Sequence, residues 1–109
     1  MLYDISALRG LTQGNNGLLV EIITVFLSNV EENLAELEVA MDKNDVKGVE
    51  FFAHSIKGSA GQFKARAMFD LAYEMELLAR DGQLATVPEK LSEIAAIYTE
   101  MKPMLEKEP

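Results

Sequence analysis

The sequence predicts an all-α fold: an antiparallel four-helix bundle with a short extra helix at the N-terminus. Three observations predict it. Apolar residues recur at three- and four-residue spacing through most of the chain, the mark of one buried stripe per helix. No window alternates with period two over strand length, so no segment is a candidate for a sheet. The helical stretches are separated by short clusters rich in Asp, Asn and Gly, so that successive helices must fold back on one another. The chain has 109 residues, of which 49% are hydrophobic. That is enough for one core and too few for two domains, and residues 1–109 are read as a single domain.

Asp4 is placed to cap a first short helix through Leu8, closed by Gly10. QGNNG then reads as a loop; no strand precedes it and no Gly-Lys-Ser/Thr follows, so it is a poor phosphate cradle. The second helix is expected from Leu18 to Met41, its stripe formed by Leu19, Ile22, Ile23, Phe26, Leu27, Val30, Leu34, Leu37 and Met41. Asp45 can cap a third helix running to about Phe63. A fourth spans Arg66 to Arg80, with Met68, Leu71, Ala72, Met75, Leu78 and Ala79 inward, and Asp81-Gly82 ends it. Thr86 opens the last helix, with Pro88 in its first turn and Glu89 at the capping-box position. Leu91, Ile94, Ala95, Tyr98 and Met101 form its stripe, and Pro103 should end or kink it.

Composition excludes several functions. The formal net charge is -8, a field that repels nucleic acid and anionic membrane, and neither is expected as a partner. There is no Cys, which removes disulfides, thiolate metal sites and cysteine nucleophiles and fits a cytoplasmic location. MLYDISALRG shows no signal-peptide pattern, and the longest apolar stretches are too short to span a bilayer. One segment runs against the overall charge. Between Val46 and Phe69 lie Lys47, Lys57, Lys64 and Arg66 against Glu50 alone, and the chain's single histidine, His54, lies among them.

The orientation of that histidine is decided by geometry. With His54 at zero on a helical wheel and about 100° per residue, Val46, Val49, Phe52, Ala53, Ile56, Ala60 and Phe63 fall in one arc on the opposite side. That arc is the core face, so His54 points to solvent with Lys47, Lys57, Gly58, Gly61 and, at the edge, Phe51. A metal site is not expected, since one His with scattered carboxylates lacks a second strong ligand. A glycine in a helix interior costs about 1 kcal/mol relative to Ala, and Gly58 and Gly61 on an exposed face give the bundle nothing in return, although nearness to the helix end would excuse Gly61. An incoming partner does gain, because its backbone can approach the imidazole. Lys57, one turn on, can neutralise an anionic group on the ring, although an ordinary solvated lysine would occupy the same place.

The segment AHSIKGSAGQF, Ala53 to Phe63, closely resembles the signature of histidine phosphotransfer (HPt) domains, with His54, Lys57 and Gly58 supplying HxxKG. The order of helices resembles that family over essentially the whole chain. The resemblance implies that His54 is a phosphoacceptor, Lys57 neutralises the phosphoryl charge and Gly58 gives a partner access. It also matches Glu76 to the position that orients the imidazole, with Arg80 one turn later; a plain Glu76–Arg80 surface pair is an equal reading at this stage. Partner docking is expected at Phe51, Ser55, Gly61, Gln62 and Arg80. Lys64 stands where many members have Gly, which leaves the local turn open.

The implied function is relay of a phosphoryl group between receiver-domain aspartates in a two-component phosphorelay. The expected partners are a response-regulator receiver domain and a hybrid sensor histidine kinase. No cofactor is expected on this chain, Mg²⁺ being brought by the receiver, and with no nucleotide-binding motif the chain is expected to be a carrier without kinase activity. A monomer is expected, since no extra apolar stripe is left uncovered. Three other readings make different demands. A non-catalytic adaptor bundle would make His54→Gln silent. An enzyme using His54 as general base would need a concave pocket with a paired acid. A dimerising kinase domain would need two long helices and a linked ATP domain.

Overall fold

The computed structural model describes all 109 residues. It contains five helices and no strand: α1 (Ser6–Thr12), α2 (Asn16–Asp42), α3 (Val46–Gln62), α4 (Arg66–Arg80) and α5 (Val87–Glu106). α2 packs on α3, α3 on α4, α4 on α5 and α5 back on α2, while α1 lies against α2. The connections between α2 and α5 are short, so neighbours in the ring run antiparallel. At about 1.5 Å per residue, the 27-residue α2 sets the long axis of a molecule measuring 45 × 20 × 19 Å.

The helix starts follow from local chemistry. The Asn15 side chain accepts from Leu18 N–H at 3.0 Å, and Asp45 accepts from Gly48 N–H at 3.0 Å. Each satisfies one of the unpaired amides of a first turn. Gly48 belongs to this cap: a Cβ there would lie 2.5 Å from Asp45 Oδ2 and 3.2 Å from the Ala40 Cβ. Gly82, with φ 72°, turns the chain out of α4 as expected. Lys64 takes the left-handed conformation at φ 50°. That conformation is one glycine adopts without strain, and here lysine adopts it.

The stripes meet in one core. Leu19, Leu37, Val30, Val49, Ile56, Phe63, Met68, Met75, Ile94, Met101 and Leu105 are all essentially inaccessible. Each such side chain contributes about 1.5–3 kcal/mol on burial. Phe26 and Phe63 stack with centroids 4.0 Å apart, joining α2 to the end of α3. Ile22, Leu34, Met41, Phe52, Leu71 and Leu78 lie at the margins, half-buried.

Four expectations need correction. Gly10 does not close α1, which continues to Thr12. Asp4 is not its N-cap either; its carboxylate accepts from Ser6 N–H and Oγ, and Ile5 precedes the helix without a side-chain cap. Thr86 is the N-cap of α5 but makes no capping hydrogen bond, so no capping box forms. Pro103 does not end α5: the helix runs on to Glu106. The backbone bond lost at Pro103 is offset by what lies beyond it. Leu105 is fully buried, and Glu108 accepts from Tyr3 Oη at 2.6 Å and from Arg9 Nη2 at 2.7 Å. This clasp, with Asp4 N–H bonded to the Phe63 carbonyl at 2.9 Å, holds the N-terminal segment across one end of the bundle.

Candidate functional site

His54 is the middle residue of α3 and its side chain is 65% exposed. Val49, Ala53, Ile56 and Ala60, from the opposite face of the same helix, are fully buried. The outward histidine read from periodicity is therefore what the fold produces.

Beneath the ring lies a carboxylate. Glu76, on α4, is buried to 3% exposure, and its Oε2 is 2.8 Å from His54 Nδ1. Lys57 Nζ is 2.7 Å from the other oxygen, Oε1. This is an ion-pair contact, and no hydrogen bond of good geometry reaches Oε1. Arg80 Nη2 is 3.3 Å from Oε2, and its Nε is bonded to Glu50 Oε2 at 3.0 Å. A buried charge survives only when paired, and here the pairing comes from two helices. Desolvation, the largest single influence, pushes the Glu76 carboxyl up; the close contacts of Lys57 and His54 with their charges outweigh it and hold it below its ordinary value. Arg80 is held above its ordinary value, first by its hydrogen bond to Glu50.

The ionised carboxylate fixes the tautomer. It can only accept, so Nδ1 donates, and in the neutral ring the lone pair is left on Nε2. A shallow recess of about 410 Å³ adjoins the ring, lined by Lys47, Glu50, Phe51, His54 and Glu76. Gly58, one turn after the histidine and outside that recess, borders open space, since a Cβ there would meet nothing within 4 Å. The outward ring nitrogen thus stands beside a clearing large enough for another molecule's reactive group.

The remaining site residues divide. Phe51 is 67% exposed and sits edge-on to Phe52, leaving one face of its ring to solvent. Gln62 lines a groove with Leu18, Ile22, Val25 and Ser59 between α2 and α3. Gly61 is exposed, and a Cβ there would make ordinary contact with the Phe69 ring at 3.6 Å. Ser55 is half-buried and its Oγ accepts from Asn33 Nδ2 at 2.9 Å, so its side chain ties α3 to α2. Lys57 is not the solvated lysine of the wheel: its side chain is 21% exposed and its ammonium lies 4.9 Å from the Tyr73 ring centroid as well as against Glu76. Arg80 reaches both Glu76 and Glu50, so it is more than one half of a surface pair. Glu50 was missed, although its place one turn before His54 on the same face was available from the wheel.

Comparison with known proteins agrees with this geometry. The family model described as "Hpt domain" matches residues 21–103, from α2 through most of α5. The phosphorelay intermediate protein rdeA of Dictyostelium discoideum is 25% identical over 100 residues, which is 88% of this chain. The chain spans about two fifths (39%) of that relative's length. The crystal structure of histidine-containing phosphotransfer protein B (HptB) from Pseudomonas aeruginosa PAO1 superposes with a TM-score of 0.88 at 23% identity, covering 98% of this chain and 93% of that one. No helix here is long and apolar enough to cross a membrane. An outward imidazole over a buried carboxylate, on a bundle whose four main helices match one family model, makes this chain a member of the Hpt domain family.

Proposed function

We propose that this domain accepts a phosphoryl group on His54 Nε2 from the aspartyl phosphate of one receiver domain and returns it to the aspartate of another. The observation that carries the reading is the hydrogen bond from Nδ1 to buried Glu76, 2.8 Å long, which leaves Nε2 as the free, outward nitrogen. The Nε2 lone pair attacks phosphorus, the N–P bond forms as the P–O bond breaks, and the aspartate leaves as a carboxylate. The ring acquires positive charge while Nδ1 keeps its proton, and Glu76 balances that charge from below. The reverse attack by a second aspartate restores the neutral imidazole. Such a transfer depends on position and charge neutralisation more than on covalent help.

Lys57 has two successive tasks in this reading. It holds Glu76 while His54 is unmodified, and its flexible stem lets the ammonium turn to the phosphoryl group afterwards. Phe51, Gly58, Gly61, Gln62 and Arg80 form the docking face, and Ser55 supports it from the α2 side. The receiver brings its own Mg²⁺. The domain works as a carrier without kinase activity, as a monomer in the cytoplasm, between a hybrid sensor histidine kinase and a response-regulator receiver.

The test is incubation with a phosphorylated receiver domain. Label should move to this chain in an acid-labile, base-stable bond, and His54→Gln should take up none. Label that persists in His54→Gln, or partner function that survives the substitution as an adaptor would allow, refutes the reading.

A further inference from the structure

Glu76 Oε2 has two claimants. His54 Nδ1 lies 2.8 Å away and Arg80 Nη2 lies 3.3 Å away, while Lys57 occupies the other oxygen. A guanidinium is the stronger partner for a carboxylate, and unopposed it closes to a short, two-pronged pair. Arg80 has not done so, and its Nε is engaged by Glu50 Oε2 at 3.0 Å. Glu50 stands on α3 one turn before His54, and Arg80 is the last residue of α4, so the pair bridges the two helices that build the site.

We propose that Glu50 is a positioning residue for His54 that acts through Arg80: it draws the guanidinium off the carboxylate oxygen on which the imidazole depends. With Glu50 present, Oε2 is left to accept from Nδ1, and Nε2 keeps its lone pair outward. Without Glu50, Arg80 swings onto Oε2, the Nδ1 hydrogen bond weakens, and the ring is freer to turn or to place its proton on Nε2, where it blocks attack. The consequence for transfer rests on His54 as the acceptor; the geometry and its test do not.

His54 is the only histidine of the chain, so its ring nitrogens are unambiguous in NMR spectra of the full protein. Ring ¹⁵N shifts report the tautomer, and exchange of the Nδ1 proton with water reports its hydrogen bond. Glu50→Ala should shift population toward the Nε2–H tautomer and speed Nδ1–H exchange severalfold. Arg80→Met should keep the parent tautomer with exchange as slow or slower. The double variant decides the matter: if Glu50 acts through Arg80, it behaves like Arg80→Met. A change on Glu50→Ala that persists in the Arg80→Met background assigns the effect to the direct field of Glu50 and overturns the proposal. So does the absence of any change on Glu50→Ala. Backbone amide spectra establish that each variant is folded. No readout involves phosphate, so failure of phosphotransfer and failure of this inference are separate outcomes.

Discussion

Two glycines of α3 look alike in the sequence, yet alanine should stabilise at one and gain nothing at the other. At Gly58 a Cβ meets no atom within 4 Å, so Gly58→Ala should recover the full helix-interior cost of glycine, about 1 kcal/mol. For a domain of this size that raises Tm by about 4–8 °C. At Gly48 the same methyl would lie 2.5 Å from Asp45 Oδ2 and 2.9 Å from its Cγ. The cap must move, and losing it costs about 1 kcal/mol, which cancels the gain. Thermal and urea melts followed by circular dichroism measure both. Function should separate the other way. Gly58→Glu adds a good helix former and should stay folded, but it places a negative charge one turn from the acceptor nitrogen. Like-charge juxtaposition at an interface costs several kcal/mol, and about 3 kcal/mol slows transfer from a phosphorylated receiver roughly a hundredfold. Gly58→Ala adds no charge and should transfer far faster than Gly58→Glu. Loss of stability on Gly58→Ala, or transfer at the parent rate by Gly58→Glu, refutes the claim that this glycine serves an incoming partner.

Acid should unfold the protein below the ordinary carboxylate range. Glu76, Glu31 and Glu108 are held below 4.5 and Asp4 below 3.8, so their contribution is complete above those values and is lost as pH falls through the lower folded ones. Urea midpoints against pH should show this, with Glu76→Gln removing part of the slope; an equal slope in that variant counts against the buried carboxylate. At the alkaline end Tyr3, raised by burial and by Glu108 from 10.0 to about 12, stabilises fully below 10.0 and loses that contribution as pH rises through about 12. Tyr3→Phe should flatten this limb. Glu108→Ala, removing the acceptor of both Tyr3 and Arg9, should cost about 1 kcal/mol and leave transfer unchanged. Slowed transfer in that variant would place the clasp in the site's machinery. Phe51→Ala should weaken receiver binding with little effect on Tm, and unchanged affinity would remove Phe51 from the docking face.

What the sequence revealed, and what it concealed, follows one physical line. The stripe of α3 made the outward His54 legible, because a helix has only one buried side and seven apolar residues had already claimed it. For Glu76 the same reasoning left two readings level, a partner of His54 and a surface pair with Arg80. On its own helix it flanks the core, and a lone carboxylate there belongs to solvent. Its burial becomes tolerable only once Lys57 and His54 arrive from α3, a matter of register between helices that no single wheel contains. Lys57 was misplaced for the same reason, and Glu50 was overlooked because its partner is on another helix. Pro103 failed differently. The rule that proline stops a helix describes local cost, and here Leu105 and the Glu108 clasp supply a tertiary gain beyond it.

The arrangement of α3 and α4 also separates stability from chemistry. Gly58 and Phe51 touch little of the bundle, so they are free to vary with the partner at small cost to folding. Glu76 has no such freedom, since it is at once a buried charge that must stay paired and the acceptor that fixes the imidazole. Replacing it therefore changes two quantities together, and only its neighbours can tell them apart. Lys57 meets one of its oxygens and Arg80 approaches the other, so removing either one leaves the second in place and should weaken the fold less than removing Glu76 itself. If Lys57→Met and Arg80→Met each destabilised as much as Glu76→Ala, the site would be a structural ion cluster that happens to underlie a histidine. A smaller loss in each, with the Nδ1 hydrogen bond weakened in Lys57→Met and kept in Arg80→Met, is what a positioning device requires.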